Sequence, residues 1–198
     1  AIDELVLQMM IKYNSKNAVV FNTIQAYRRD RFEYLKQLHQ SNSGQFKIGV
    51  KLVRGAYMEK ERKRALRYNY SSPICDNKEQ TDQVFNNSLE FIISNIDDFE
   101  LFIGSHNEDS NRLSTKLLKK YMIENSDDRV WFSQLYGMSD NISFSLANNG
   151  YNVAKYLPFG PVREVMPYLM RRLEENSSIS SQTNRELKLI KKEILRRK

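Results

Sequence analysis

The feature that most constrains the fold is an ordered alternation along the chain. Short runs rich in β-branched and aromatic residues are separated, again and again, by longer stretches of helical periodicity. Val19–Tyr27, Lys47–Tyr57, Phe99–His106, Val130–Met138 and Asn152–Phe159 read as strands. Asp30–Gln40, Met58–Asn69 followed by Thr81–Asn95, Asp109–Asn125, Asp140–Asn148 and Val162–Asn176 read as helices, and Ala1–Met10 opens the chain as an amphipathic helix. Strands separated by whole helices cannot pair as hairpins, so a parallel α/β sheet with right-handed crossovers is predicted.

Two architectures carry such a rhythm, an open doubly wound sheet and a closed (β/α)₈ barrel. No Gly-x-Gly-x-x-Gly follows any of the strands. Polar or aromatic residues recur instead at their C-terminal ends: Gln25 and Tyr27, Arg54 and Tyr57, His106 and Asn107, Gln134 and Tyr136, and Tyr156. Barrel enzymes collect their chemistry at that rim from several strands. The expectation is therefore an incomplete (β/α)₈ TIM barrel. Its last five βα units would occupy about residues 19–176, with roughly three units on the N-terminal side and a basic helical tail over about 182–198.

Composition narrows the function classes. The 198 residues suit one domain or part of one, and no apolar run reaches the length of a membrane span. The net charge of +7 raises the question of nucleic acid. However, acids interleave with bases over Glu59–Arg67, and neither that stretch nor the tail Arg185–Lys198 alternates with aromatics as a base-stacking surface would, so no nucleic-acid partner is expected. Cys75 is the only cysteine, which excludes an intrachain disulfide. With two histidines in all, no metal site is expected; His39 is read as a surface residue.

Four segments can carry chemistry. In Tyr168-Leu-Met-Arg171-Arg172-Leu-Glu-Glu175-Asn176, helical spacing aligns Tyr168, Arg171, Arg172 and Glu175. Paired guanidinium groups hold a carboxylate bidentately and Glu175 can orient one of them, although the same pattern also suits a solvated charged face. Lys51-Leu-Val-Arg54-Gly-Ala-Tyr57 places two cations on a strand that ends in small residues, where a ligand can approach the backbone or a turn can simply form. Gly104-Ser105-His106-Asn107 holds a histidine suited to packing and hydrogen bonding. In Tyr156-Leu-Pro-Phe-Gly-Pro161, prolines redirect the chain into a helix, and Tyr156 and Tyr136 either wall a pocket or pack at the rim.

Taken in order, these segments resemble the proline dehydrogenase family. The motifs that carry the resemblance are Asn22-Thr-Ile-Gln25-Ala-Tyr27, Lys51-Leu-Val-Arg54-Gly-Ala-Tyr57 with Glu61, Ser105-His-Asn107, Gln134-Leu-Tyr-Gly-Met138, Tyr156-Leu-Pro-Phe-Gly-Pro161 and Pro167-Tyr-Leu-Met-Arg-Arg-Leu-Glu-Glu-Asn176. The insert Tyr70–Thr81 is similar to that of the eukaryotic, mitochondrial branch.

The resemblance implies FAD as cofactor, and oxidation of L-proline to 1-pyrroline-5-carboxylate by hydride transfer to flavin N5, the first step of proline catabolism. By the same resemblance Arg171 and Arg172 grip the proline carboxylate, Glu175 steadies them, and Tyr156, Tyr168, Leu135 and Tyr57 surround the substrate. Gln25, Lys51, Val53, Arg54, Gly55 and Ala56 line the flavin, and Ser105, His106 and Asn107 meet its adenosine part. It also implies a quinone electron acceptor and a place on the matrix side of the mitochondrial inner membrane. The family's usual Thr-His-Asn is Ser-His-Asn here, and its first-strand lysine and early acidic residue are not in this chain. Two other readings compete: a remnant that keeps the motifs without catalysis, and a basic module acting on a membrane or partner through Leu187, Leu189, Ile190, Ile194 and Leu195 with Lys and Arg opposite.

Overall fold

The computed structural model describes residues 2–42, 44–177 and 180–197; for 171–177, 180–186, 188 and 189 it describes the backbone only. The elements in chain order are α1 (Ile2–Tyr13), β1 (Phe21–Gln25), α2 (Arg31–Asn42), β2 (Ile48–Val53), α3 (Met58–Tyr68), α4 (Lys78–Ser94), β3 (Phe99–Gly104), α5 (Glu108–Lys120), β4 (Val130–Leu135), α6 (Asp140–Asn148), β5 (Val153–Tyr156), α7 (Val162–Ser177) and α8 (Ser180–Arg197). The chain divides into two compact units, Ala1–Leu157 and Pro158–Lys198. The second consists of α7 and α8. No described helix is long and apolar enough to cross a membrane.

The five strands form one parallel sheet in the order β1-β2-β3-β4-β5. Each strand lies beside its predecessor and the order never reverses, the progression of a (β/α)₈ barrel rather than of a doubly wound sheet with its switch point. Burial separates the two faces. Ile24, Ile48, Val50, Leu52, Phe99, Leu101, Ile103, Val130 and Phe132 turn to the helical side, where they meet Leu35, Leu38, Phe85, Leu89, Ile92 and Leu117 in one core. Each fully buried aliphatic or aromatic side chain there contributes about 1.5–3 kcal/mol.

Polar side chains set the turns between these layers. Asn14, fully buried, donates to the carbonyls of Val20 and Lys47 at 2.8 and 2.9 Å and accepts from the N–H groups of Val19 and Val20. One amide side chain thus satisfies the backbone at the entries to β1 and β2. Asn77 and Asn107 cap α4 and α5 by accepting from Gln80 N–H and Ser110 N–H. Arg31, almost wholly buried, bridges Asp3 of α1 and Asp30 at 2.8 and 2.6 Å.

Three expectations are corrected. Every predicted strand is too long: the sheet ends at Gln25, Val53, Gly104, Leu135 and Tyr156, and the residues beyond form loops. Pairing stops where the chain turns towards the next helix, and sequence propensity is blind to that limit. His39 is not a plain surface residue. Its Nε2 lies 2.8 Å from Asp98 Oδ2 and its ring packs 5.2 Å from Phe99 and 5.5 Å from Phe91, because Asp98 immediately precedes β3. The first helix runs on to Tyr13 and α8 begins at Ser180, each a little beyond the predicted bounds.

Candidate active site

The site begins with the strand period. Because alternate residues face opposite ways, the register sets Gln25, Val53, Gly104, Ser133 and Ala154 in one row across all five strands, on the face away from the helical core. The row below it holds Thr23, Lys51, Phe102 and Trp131; Leu135 and Tyr156 continue the same face at the strand ends. Gln25, Lys51, Val53, Leu135 and Tyr156, expected around cofactor and substrate, thus share one surface. It forms a concavity of about 320 Å³ lined by residues that include Lys51, Phe102, Ser133 and Tyr156. The Lys51 ammonium stands 5.7 Å from the centre of the Tyr156 ring.

Gly104 creates room on this face. A Cβ there would come within 2.8 Å of Val53 Cγ1, so any side chain would close the middle of the row. Phe102 and Trp131 stack at 6.0 Å beneath it as an apolar floor. A partly apolar surface edged by the Lys51 ammonium and the Gln25 amide suits a planar ring with polar edges.

A second cluster sits just past the strand ends. Arg54 follows Val53, so the strand period turns it to the helical side, away from the open row. Its guanidinium donates to Asp82 Oδ1 at 2.7 Å, Ser110 Oγ at 2.9 Å and Ser105 Oγ at 3.2 Å, and packs 4.6 Å from the Phe85 ring. Burial favours the neutral form of Asp82, but hydrogen bonds from Lys78 and Arg54 outweigh it and hold the carboxyl below its usual range. Gly55 is at φ +117 and its backbone lies against the buried Tyr27 ring, where a Cβ would come within 1.5 Å of Tyr27 Cδ1. Burial, with the nearby Glu61 charge, pushes the Tyr27 hydroxyl up, which keeps it neutral. Ala56 and Tyr57 lead from that turn into α3, with Tyr57 at its N-cap.

Ser105 and Asn107 belong to the same cluster. Asn107 N–H donates to Ser105 Oγ, and Gln134 and Asn111 donate to the Ser105 carbonyl at 3.3 and 3.1 Å. His106 Nδ1 lies 3.0 Å from Ser139 Oγ. Sequence reasoning missed Asp82, Ser110, Ser139 and Lys155. Only Lys155 carried a signal, as a cation on a strand at a position whose period points to the helical side. Tyr168 lies half-buried on α7, in the second unit. Arg171, Arg172 and Glu175 are on the same helix; their side chains lie outside the described residues.

Residues 1–185 match the proline dehydrogenase family model. Proline dehydrogenase 1, mitochondrial, of Dictyostelium discoideum is 42% identical over 205 residues, spanning all of this chain and 36% of that protein. The Homo sapiens protein of the same name is 39% identical over 201 residues, again spanning all of this chain and 34% of the relative. Among solved structures, proline utilization A from Bdellovibrio bacteriovorus inactivated by N-propargylglycine superimposes with a TM-score of 0.83 at 28% identity, over 91% of this chain and 19% of that one. The chain therefore spans about a third of the length of the curated relatives it matches.

Proposed function

The chain belongs to the proline dehydrogenase family, and from that premise we propose that its protein oxidises L-proline to 1-pyrroline-5-carboxylate with FAD as cofactor. The observation that carries the reading is the register, because Gln25, Lys51, Val53, Leu135 and Tyr156 come to one open face without any side chain at Gly104 to obstruct it. FAD, when bound, would supply the hydride acceptor. Gln25, Lys51, Val53, Gly55 and Ala56 would hold its ring system, with Ser105, His106 and Asn107 towards the adenosine part. Arg54, its charge already balanced by Asp82, would act by bracing Ser105.

The chemistry asks the protein mainly for orientation. Proline loses a hydride from the ring carbon beside nitrogen and a proton from the nitrogen, and a C=N bond forms. Arg171 and Arg172, steadied by Glu175, would clamp the carboxylate, and Tyr57, Leu135, Tyr156 and Tyr168 would wall the ring. Fixing both reactants in a reactive geometry replaces a costly bimolecular encounter. Lys51 adds positive charge beside the row, which favours an electron-rich reduced cofactor. A quinone would take the electrons at the matrix face of the mitochondrial inner membrane. The mitochondrial names of the relatives support the organelle, and the basic, amphipathic α8 is suited to an anionic surface.

The test is spectroscopic. Purified as the cell makes it, the protein should carry a flavin absorption band that L-proline bleaches under anaerobic conditions and a soluble quinone restores. Absence of both the band and proline-dependent quinone reduction would reject the reading, and a preference for hydroxyproline would redefine the substrate.

A further inference from the structure

Ser139 departs from the usual behaviour of its position in two ways. It is the N-cap of α6, where a serine ordinarily adopts an extended backbone and accepts from the first turn of the helix. Here its backbone is left-handed, at φ 52 and ψ 41, and its side chain makes no capping bond. The hydroxyl instead meets His106 Nδ1 at 3.0 Å. A non-glycine residue in this conformation is strained and persists only where its surroundings impose it.

Lys155 supplies that imposition. The register pairs it with Gln134, on the helical side of the sheet, and its side chain is about three-quarters covered, so protein groups supply most of the ammonium's solvation. It donates to the Met138 carbonyl at 2.8 Å and to Asp140 Oδ1 at 2.7 Å, with a longer contact of 3.5 Å to the Leu135 carbonyl. Met138 and Asp140 flank Ser139, so one side chain grips the loop on both sides of the strained residue. Within that grip the Ser143 hydroxyl, with one proton to give, lies 2.9 Å from Gln134 Oε1 and 3.2 Å from the Ser139 carbonyl. The hydroxyl of Ser139, in a residue only 7% exposed, lies against His106.

We infer that Ser139, held left-handed by Lys155, is a positioning residue that sets the ring orientation of His106 towards the cofactor. The assignment rests on the reading of His106 as a cofactor-facing residue, and it goes beyond that reading by naming what aims the ring. Tyr156 follows Lys155 directly, so a single strand end carries both the wall of the substrate space and the brace of the histidine.

The test uses the protein as the cell makes it, with FAD affinity read by fluorescence titration and the His106 imidazole read by ¹⁵N NMR, assigned with His106→Gln. Ser139→Gly removes the hydroxyl while relieving the backbone, so it should fold at least as stably, yet weaken FAD binding by about 3- to 10-fold, the worth of one hydrogen bond. Lys155→Met should do the same, Lys155→Arg should recover most of the loss, and Lys155→Met should add nothing in the Ser139→Gly background. Both variants should shift the His106 ring nitrogens. If His106→Gln weakens FAD while Ser139→Gly and Lys155→Met leave both affinity and imidazole shifts unchanged, the inference is overturned. If His106→Gln leaves FAD affinity unchanged, the cofactor reading of that residue fails, and the imidazole shifts alone decide whether Ser139 and Lys155 orient the ring.

Discussion

Arg54 Nε lies 2.7 Å from Asp82 Oδ1, and this pair joins the end of β2 to the first turns of α4. Both side chains are about three-quarters covered, and the guanidinium also serves Ser105 and Ser110. Asp82→Ala should leave a half-satisfied cation against Phe85 and cost about 1–3 kcal/mol of stability, the range for an orphaned partly buried partner. Asp82→Asn, which keeps an acceptor for Nε, should lose less. Urea unfolding of the two variants beside the parent protein checks the order.

Gly55 and Gly137 both have positive φ, yet they should respond differently to alanine. At Gly55 the new Cβ would overlap the Tyr27 ring, so backbone strain and collision combine, and the loss should exceed about 3 kcal/mol or abolish folding. At Gly137, φ +74, no atom of the described residues beyond its chain neighbours lies within 4 Å of an added Cβ, and only the conformational cost of about 1 kcal/mol applies. Equal melting temperatures for the two variants would contradict the packing of Tyr27 described above.

Acid should loosen the junction of α1 and α2. Burial raises the Asp30 pKa, but hydrogen bonds and charge from Arg31 and Arg28 outweigh it and hold the carboxyl at about 2; Asp3 is lowered in the same way by Arg31 and Asn22. A carboxylate depressed on folding stabilises the protein above its unfolded pKa, near 3.8, and that contribution disappears as pH falls towards 2. Stability measured from pH 5 down to 2 should therefore fall, and Asp30→Asn should flatten the lower part of the curve.

Substrate recognition predicts a kinetic pattern. On the proposed clamp, Arg171→Met or Arg172→Met should raise the KM for proline by about 30- to 100-fold, since each would remove a charge-assisted contact to a carboxylate worth a few kcal/mol. Steady-state kinetics with a quinone acceptor measure it. An unchanged KM in either variant would remove that arginine from the clamp.

Much of the fold was legible in the sequence because burial is written as periodicity. Ile24, Val50, Leu52, Leu101 and Ile103 recur at the spacing of strands covered by helices, and their helices repeat apolar positions every three to four residues. The barrel progression was legible too, from polar residues at successive strand ends. The roles proposed for Gln25, Lys51 and His106 come from the resemblance alone, since an amide, a cation or a lone histidine has no fixed chemistry until its neighbours are known. Hidden altogether were Asp82, Ser110 and Ser139, which lie 28, 56 and 33 residues from the partners they hold.

By itself, the sequence determined which residues enter the core, the order of the five strands and the family to which the chain belongs, because local periodicity and motif order survive without coordinates. Only the tertiary structure decided which cation faces the open row and which is turned away. Lys51 and Arg54 stand three residues apart on one strand and its exit, so they emerge on opposite faces of the sheet: Lys51 over the concavity, Arg54 taken up by Asp82 and Ser110 from two helices and by Ser105 from the loop after β3. Alternation along the strand puts the two on opposite faces; which of those faces the helices cover, and so which cation finds Asp82 and Ser110, was decided only by long-range packing.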